Sequence, residues 1–103
     1  MKPLFTVAVA AVALASGAAM AQSQGVSKNE ILVGTIQDLS GPVAAFGKAV
    51  RQGMLLRIDE VNEQGGIHGR KIKLIAEDNG YDPKKAVLAA QKLVNQDKVF
   101  IVA

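Results

Sequence analysis

A serine and a glycine in a short turn, Leu39-Ser40-Gly41-Pro42, are the residues of this sequence best placed to bind a ligand. The turn follows a run that is apolar at nearly every position, from Ile31 to Ile36, and it precedes a long helical pattern. Ser40 offers a hydroxyl and Gly41 a backbone N–H near the start of that helix, where the helix field favours an anion such as a carboxylate. The alternative for Ser40 is a turn or N-cap residue.

Residue types that support catalysis are sparse. The single histidine, His68, lies in a turn that we expect at the opposite end of the sheet from Ser40, so a Ser-His pair is excluded. There is no cysteine, and one histidine with scattered acids does not form a metal site. The glycines Gly34, Gly41 and Gly47 do not fit the dinucleotide-binding motif. We therefore expect no enzyme activity, no metal and no cofactor.

The elements that position the turn follow from hydrophobic patterning. An unbroken apolar run predicts a strand covered on both faces, here about Ile31 to Gln37. A helix is predicted from about Val43 to Gln64, ended by Gly65-Gly66, where a positive φ closes the last turn. Its sheet-facing stripe is predicted to contain Val50, Met54, Leu55, Ile58 and Val61.

The second half of the pattern repeats strand and helix. A partly alternating strand, Lys71 to Glu77, has lysine at its start, which suits a sheet edge. Asp82-Pro83 begins a second helix, because Asp caps a first turn and Pro fits the first helical position. The inward face of this helix is predicted to contain Ala86, Ala90, Leu93 and Val94. A third strand begins at about Val99, giving the start of a doubly wound α/β parallel sheet, β-α-β-α-β, in strand order 2-1-3.

Ligands of open α/β sheets bind beyond the carboxyl ends of the strands. The turn at Ser40 and Gly41 follows the first strand, and Asn79 and Tyr81 follow the second. For Asn79 and Tyr81 we expect turn and packing roles.

The first 21 residues have the organisation of a secretory signal peptide. Lys2 precedes an uncharged apolar stretch, Leu4 to Ala15, and Ala19-Met20-Ala21 gives a small-residue cleavage site. The alternative, a membrane anchor, is disfavoured because many positions are Ala, Gly or Ser. We expect residues 22–103 to be the exported part, which does not itself span a membrane. Its excess of basic over acidic side chains is too small and too scattered for nucleic acid binding.

The chain ends inside an apolar run, Val99-Phe100-Ile101-Val102-Ala103. A carboxylate at the end of a buried strand would have an uncompensated desolvation cost. We therefore expect this sequence to be the front portion of a longer protein.

Several segments together resemble the substrate-binding proteins of branched-chain amino acid ABC transporters. In chain order they are Ile31-Leu32-Val33-Gly34, Leu39-Ser40-Gly41-Pro42, Phe46-Gly47, Asp59-Glu60-Val61-Asn62, the stretch from Gly65 to Ile72, Glu77-Asp78-Asn79 and Tyr81-Asp82-Pro83. The resemblance covers essentially all of residues 22–103.

This resemblance implies a two-lobed periplasmic protein of the type I binding fold, with residues 22–103 as the incomplete first lobe. Such a protein closes on a small solute, most simply a branched-chain or related amino acid, and delivers it to a membrane permease. Phe46 is similar to the aromatic that covers a ligand side chain in this family; the alternative is a plain core residue. The family's main ligand-fixing residues would lie beyond Ala103. The same fold also serves extracytoplasmic sensors, which the residues leave open.

Overall fold

A computed structural model describes residues 23–103, so the predicted signal peptide at residues 1–21 lies outside the described part. Three strands alternate with two helices, as predicted. The elements are β1 (Glu30–Gln37), α1 (Ala44–Glu63), β2 (Lys71–Asp78), α2 (Pro83–Gln91) and β3 (Ile101–Val102), with one π-helical turn (Lys92–Gln96) directly after α2.

The strands form one parallel sheet in the order β2-β1-β3, which confirms the predicted topology. β1 pairs with β2 along its whole length, from Glu30 opposite Lys71 to Gln37 opposite Asp78. β3 pairs with the middle of β1 through Ile101 and Val102. The uncharged centre of β1 is therefore the middle of the sheet, while the lysine-containing β2 is an outer strand of the described part.

The buried core lies where the end of the second helix crosses the central strand. Leu93 is fully buried, and Ala89 and Val99 are nearly so. A Cβ on Gly34 would lie 3.0 Å from the Cδ1 atom of Leu93, so the absence of a side chain in β1 allows this leucine to pack directly on the strand. This close packing fixes the height of the second helix over β1.

α1 packs along β1 and β2, and the carboxyl-terminal part of α1 is hydrogen-bonded to the start of β2. The Asn62 side chain accepts from the Ile72 N–H and donates to the Ile72 carbonyl, both at 2.8 Å. Met54, Ile58 and Val61 of the predicted stripe are half-buried. Val50 is exposed instead, because nothing among residues 23–103 covers the first half of α1 at that position.

α2 begins as predicted, since Asp82 is its N-cap and accepts from the Lys84 N–H. The inward face was predicted wrongly at its end: Leu93 is buried but Val94 is exposed, and Ala89, which the prediction omitted, is buried. The π-helical turn that starts at Lys92 contains more residues per turn than an α-helix and so rotates Val94 away from the sheet.

The Lys92 ammonium forms ion pairs with Asp97 and with Glu77 of β2. These two carboxylates favour the charged form of the lysine and so raise its pKa.

The third strand starts later than predicted. Val99 and Phe100 already run beside β1, and the Phe100 N–H donates to the Leu32 carbonyl, but the strand proper is Ile101–Val102. No helix within residues 23–103 is both long enough and apolar enough to cross a bilayer.

Candidate ligand-binding site

The loops after β1 and β2 start side by side at one edge of the sheet. Because Gln37 and Asp78 are paired at the ends of the two strands, both loops leave the sheet at the same height. The Asn79 N–H donates to the Gln37 carbonyl at 3.0 Å and continues the pairing into the loops. These are the carboxyl ends of parallel strands, where α/β proteins bind ligands.

Asp38, the first residue after β1, holds the first loop in place through hydrogen bonds to its buried side chain. Its side chain is 5 % exposed. Its carboxylate accepts three backbone N–H groups, from Ser40 at 3.2 Å, Gly41 at 2.5 Å and Val43 at 2.9 Å. An internal carboxylate thus occupies the position before α1 where the sequence predicted a ligand anion.

Asp78, the last residue of β2, joins the two loops. Its Oδ1 atom accepts from the Leu39 N–H in the first loop and from the Gly80 N–H in the second, each at 2.8 Å. The nearby Ser40 hydroxyl, together with these two N–H groups, lowers the pKa of Asp78 to about 2. Lys85, in the first turns of α2, adds a smaller favourable field. The carboxylate is therefore ionised across the physiological range.

Two glycines allow the loops and helix to approach each other. A Cβ on Gly41 would lie 2.5 Å from the Gly80 carbonyl oxygen and 2.8 Å from both carboxylate oxygens of Asp38. A Cβ on Gly47, in the first turn of α1, would overlap the Asp38 carbonyl oxygen. A side chain at either position would push the first loop away from its neighbours.

Phe46 stands exposed at the edge that these loops form. It lies in the first turn of α1 and 75 % of it is exposed, so within residues 23–103 the alternative of a core residue is wrong. Tyr81, in the second loop, is also largely exposed, which excludes the predicted packing role within the described part. Asn79 has the predicted turn role, since its side chain accepts from the Tyr81 N–H at 2.8 Å. The edge thus presents aromatic faces, which suit an apolar substituent or an ammonium group.

The structure brings the three predicted site residues together but changes the chemistry expected of two of them. The alternative of Ser40 as the N-cap is wrong, because Val43 holds that position without a side-chain bond. The Ser40 hydroxyl stabilises the ionised form of Asp78, and the Gly41 N–H donates to Asp38. Contact of Ser40, Gly41 and Phe46 with a ligand stays a prediction.

Sequence reasoning missed both aspartates. Asp38 directly precedes the Leu39-Ser40-Gly41-Pro42 turn, and an aspartate at the start of a turn commonly accepts from N–H groups a few residues on. That local signal could have identified Asp38. Nothing local indicates that Asp78 reaches the Leu39 N–H, 39 residues away.

His68 lies in the turn between Ile67 and Arg70, just before β2, and therefore at the opposite sheet edge from Ser40, as predicted. Among residues 23–103 there is no group of three or more histidine, cysteine or acidic residues arranged to hold a metal ion.

Residues 30–103 match the protein family described as periplasmic binding protein. Among curated proteins, a Leu/Ile/Val-binding protein of Rhizobium johnstonii is 42% identical over 73 residues, which are 71% of this chain and 20% of that protein. The chain thus spans about a fifth of the length of the curated relatives it matches.

Solved structures of substrate-binding proteins also match this chain. A fatty acid ABC transporter substrate-binding protein from Thermomonospora curvata matches with a TM-score of 0.71 and 37% identity, over 79% of this chain and 20% of that one. A branched-chain amino acid transporter substrate-binding protein from Streptococcus pneumoniae, solved in complex with isoleucine, matches with a TM-score of 0.69 and 36% identity, over 72% of this chain and 21% of that one.

Proposed function

The chain belongs to the periplasmic binding protein family, and we propose that it is the front part of the extracytoplasmic solute-binding component of an ABC transporter. In this proposal residues 1–21 are a cleaved signal peptide, and residues 22–103 begin the first of two lobes in the periplasm. The complete protein captures a small solute between its lobes and presents it to a membrane permease. It acts as a binding protein and not as an enzyme.

The observation that carries the proposal is the exposure of Phe46 at the sheet edge where β1 and β2 end. A phenylalanine that is three-quarters exposed has little role in the fold of residues 23–103. Its position, in the first turn of α1 and beside the loop that follows a central strand, is where an α/β protein places ligand contacts. A ligand that covers the ring would supply the apolar contacts that it lacks.

The hydrogen bonds of the edge favour one orientation of the ligand. Five backbone N–H groups lie between Leu39 and Ala44, and each already has an acceptor within the chain. A ligand carboxylate at this loop would have to compete with Asp38, so its partners lie elsewhere in the complete protein. Phe46 then contacts the apolar part of the ligand, with Ser40 and Gly41 lining the same edge.

The names of the relatives support a branched-chain or related amino acid as the solute, with fatty acids as the main competing class. The test is a thermal-shift screen of the complete, leader-free protein against leucine, isoleucine, valine, other amino acids, medium-chain fatty acids and aromatic acids. We expect a saturable rise in melting temperature with one apolar amino acid class. No shift with any of these solutes would contradict the proposal. A membrane-spanning segment after the second lobe in the complete gene would instead favour a sensor of the same fold.

A further inference from the structure

We propose that Asp78 is a positioning residue of the ligand site: its carboxylate holds the loop before α1 against the loop after β2 and so orients the helix turn that carries Phe46. The inference rests on the proposed function, because it assigns Asp78 a role in solute binding through another residue. Asp78 itself need not touch the solute.

Asp78 is the strongest polar link between the two loops. Its Oδ1 atom accepts from the Leu39 N–H in the first loop and from the Gly80 N–H in the second loop. Hydrogen bonds to a charged acceptor are stronger than neutral ones. Removal of the carboxylate therefore leaves the two loops joined by the Asn79 bond to the Gln37 carbonyl and by the contact between the Gly41 and Gly80 backbones.

The first loop is continuous with the helix turn that bears Phe46. Asp38 ties its own loop to Val43, the N-cap of α1, and Gly47 packs against the Asp38 backbone. Asp38 thus makes the loop and the helix start one rigid piece, and Asp78 attaches that piece to β2. The attachment therefore helps to orient the exposed ring, because Phe46 has few contacts of its own.

The attachment of the first loop also has an energetic consequence for solute binding. A site whose loop must be ordered by the ligand loses affinity, since part of the binding free energy is spent on that ordering. Loss of one charged bridge predicts an affinity about tenfold weaker, and each factor of ten corresponds to about 1.4 kcal/mol. We expect this loss of solute affinity at temperatures well below the melting temperature of the variant protein.

The experiment measures solute affinity by calorimetry on the complete, leader-free protein with the solute found in the thermal-shift screen. Asp78→Ala is compared with Asp82→Ala, a matched control in the same loop, because Asp82 caps α2 through the Lys84 N–H and is not bonded to the first loop. We expect about tenfold weaker binding for Asp78→Ala and less than a twofold change for Asp82→Ala. The Asp78→Asn variant should retain most of the wild-type affinity, since the Oδ1 atom of the asparagine can still accept from both backbone N–H groups.

A double-mutant cycle separates positioning from direct contact. In a Phe46→Ala background the effect of Asp78→Ala should shrink to less than about threefold, because the ring that Asp78 orients is gone. An undiminished tenfold effect in that background would overturn the inference, and so would equal affinities of Asp78→Ala and Asp82→Ala. If Asp78→Ala does not fold, Asp78→Glu keeps the charge but moves the carboxylate by one methylene; wild-type affinity in this variant would also overturn the inference. Failure of the wild-type protein to bind any solute would refute the proposed function instead.

Discussion

Replacement of Phe46 by alanine in the complete protein should separate binding from folding. The ring is 75 % exposed. With about 200 Å² for a phenylalanine side chain, this leaves roughly 150 Å² that a ligand can cover. If the solute covers half of that area, about 25 cal/mol per Å² gives about 2 kcal/mol, or an affinity about twentyfold to thirtyfold weaker in Phe46→Ala. The remaining contacts of the ring account for at most about 1 kcal/mol of folding stability.

The assay is isothermal calorimetry for affinity, combined with urea denaturation for the free energy of unfolding. Leu56→Ala is the matched control, because Leu56 lies on the same helix, is 74 % exposed and stands about 15 Å further from the sheet edge. We expect its affinity to change less than twofold. Unchanged affinity in Phe46→Ala, or an equal loss in Leu56→Ala, would refute the reasoning that Phe46 faces the solute.

The remaining predictions concern stability. Asp38→Ala should lower the free energy of unfolding by about 2 to 4 kcal/mol in urea denaturation, because it leaves three N–H groups without their acceptor; a loss below about 0.5 kcal/mol would contradict this. The pKa of Asp78 is lowered from 3.8 to about 2, so its ionised form stabilises the fold above about pH 4, and this stabilisation is lost as the pH falls through about 2. The difference in urea midpoint between the wild-type protein and Asp78→Asn should therefore narrow between pH 4 and pH 2, and a constant difference would be evidence against the shift. Residues 22–103 alone should show no cooperative thermal transition, because Ile101 and Val102 remain exposed; a sharp transition of a monomer would contradict it.

The order of elements and the sheet topology could be predicted because both depend on local patterns. The uncharged run from Ile31 to Ile36 favours a strand in the middle of a sheet, and Asp82-Pro83 marks a helix start through one residue's side chain and the next residue's missing N–H. These signals operate within a few residues, so they can be recognised without knowledge of the tertiary structure. The observed strand order and the Asp82 cap agree with them.

Details that depend on tertiary packing could not be predicted. The π-helical turn at Lys92 turns Val94 outward, and a helical period of 3.6 cannot anticipate such a turn. The bond from Leu39 to Asp78 joins loops that are distant in sequence, so the turn motif alone could not identify Asp78 as the acceptor of the Leu39 N–H. The location of the site could therefore be inferred, whereas the assignment of its donors and acceptors required the structure.

The most direct test of the account is a crystal structure of the complete, leader-free protein bound to its solute. We expect the apolar part of the solute to lie within about 4 Å of the Phe46 ring, a contact distance for apolar groups. We also expect Asp38 and Asp78 to retain their bonds to the loop N–H groups. A solute bound elsewhere, with Phe46 covered by other residues of the protein, would contradict it.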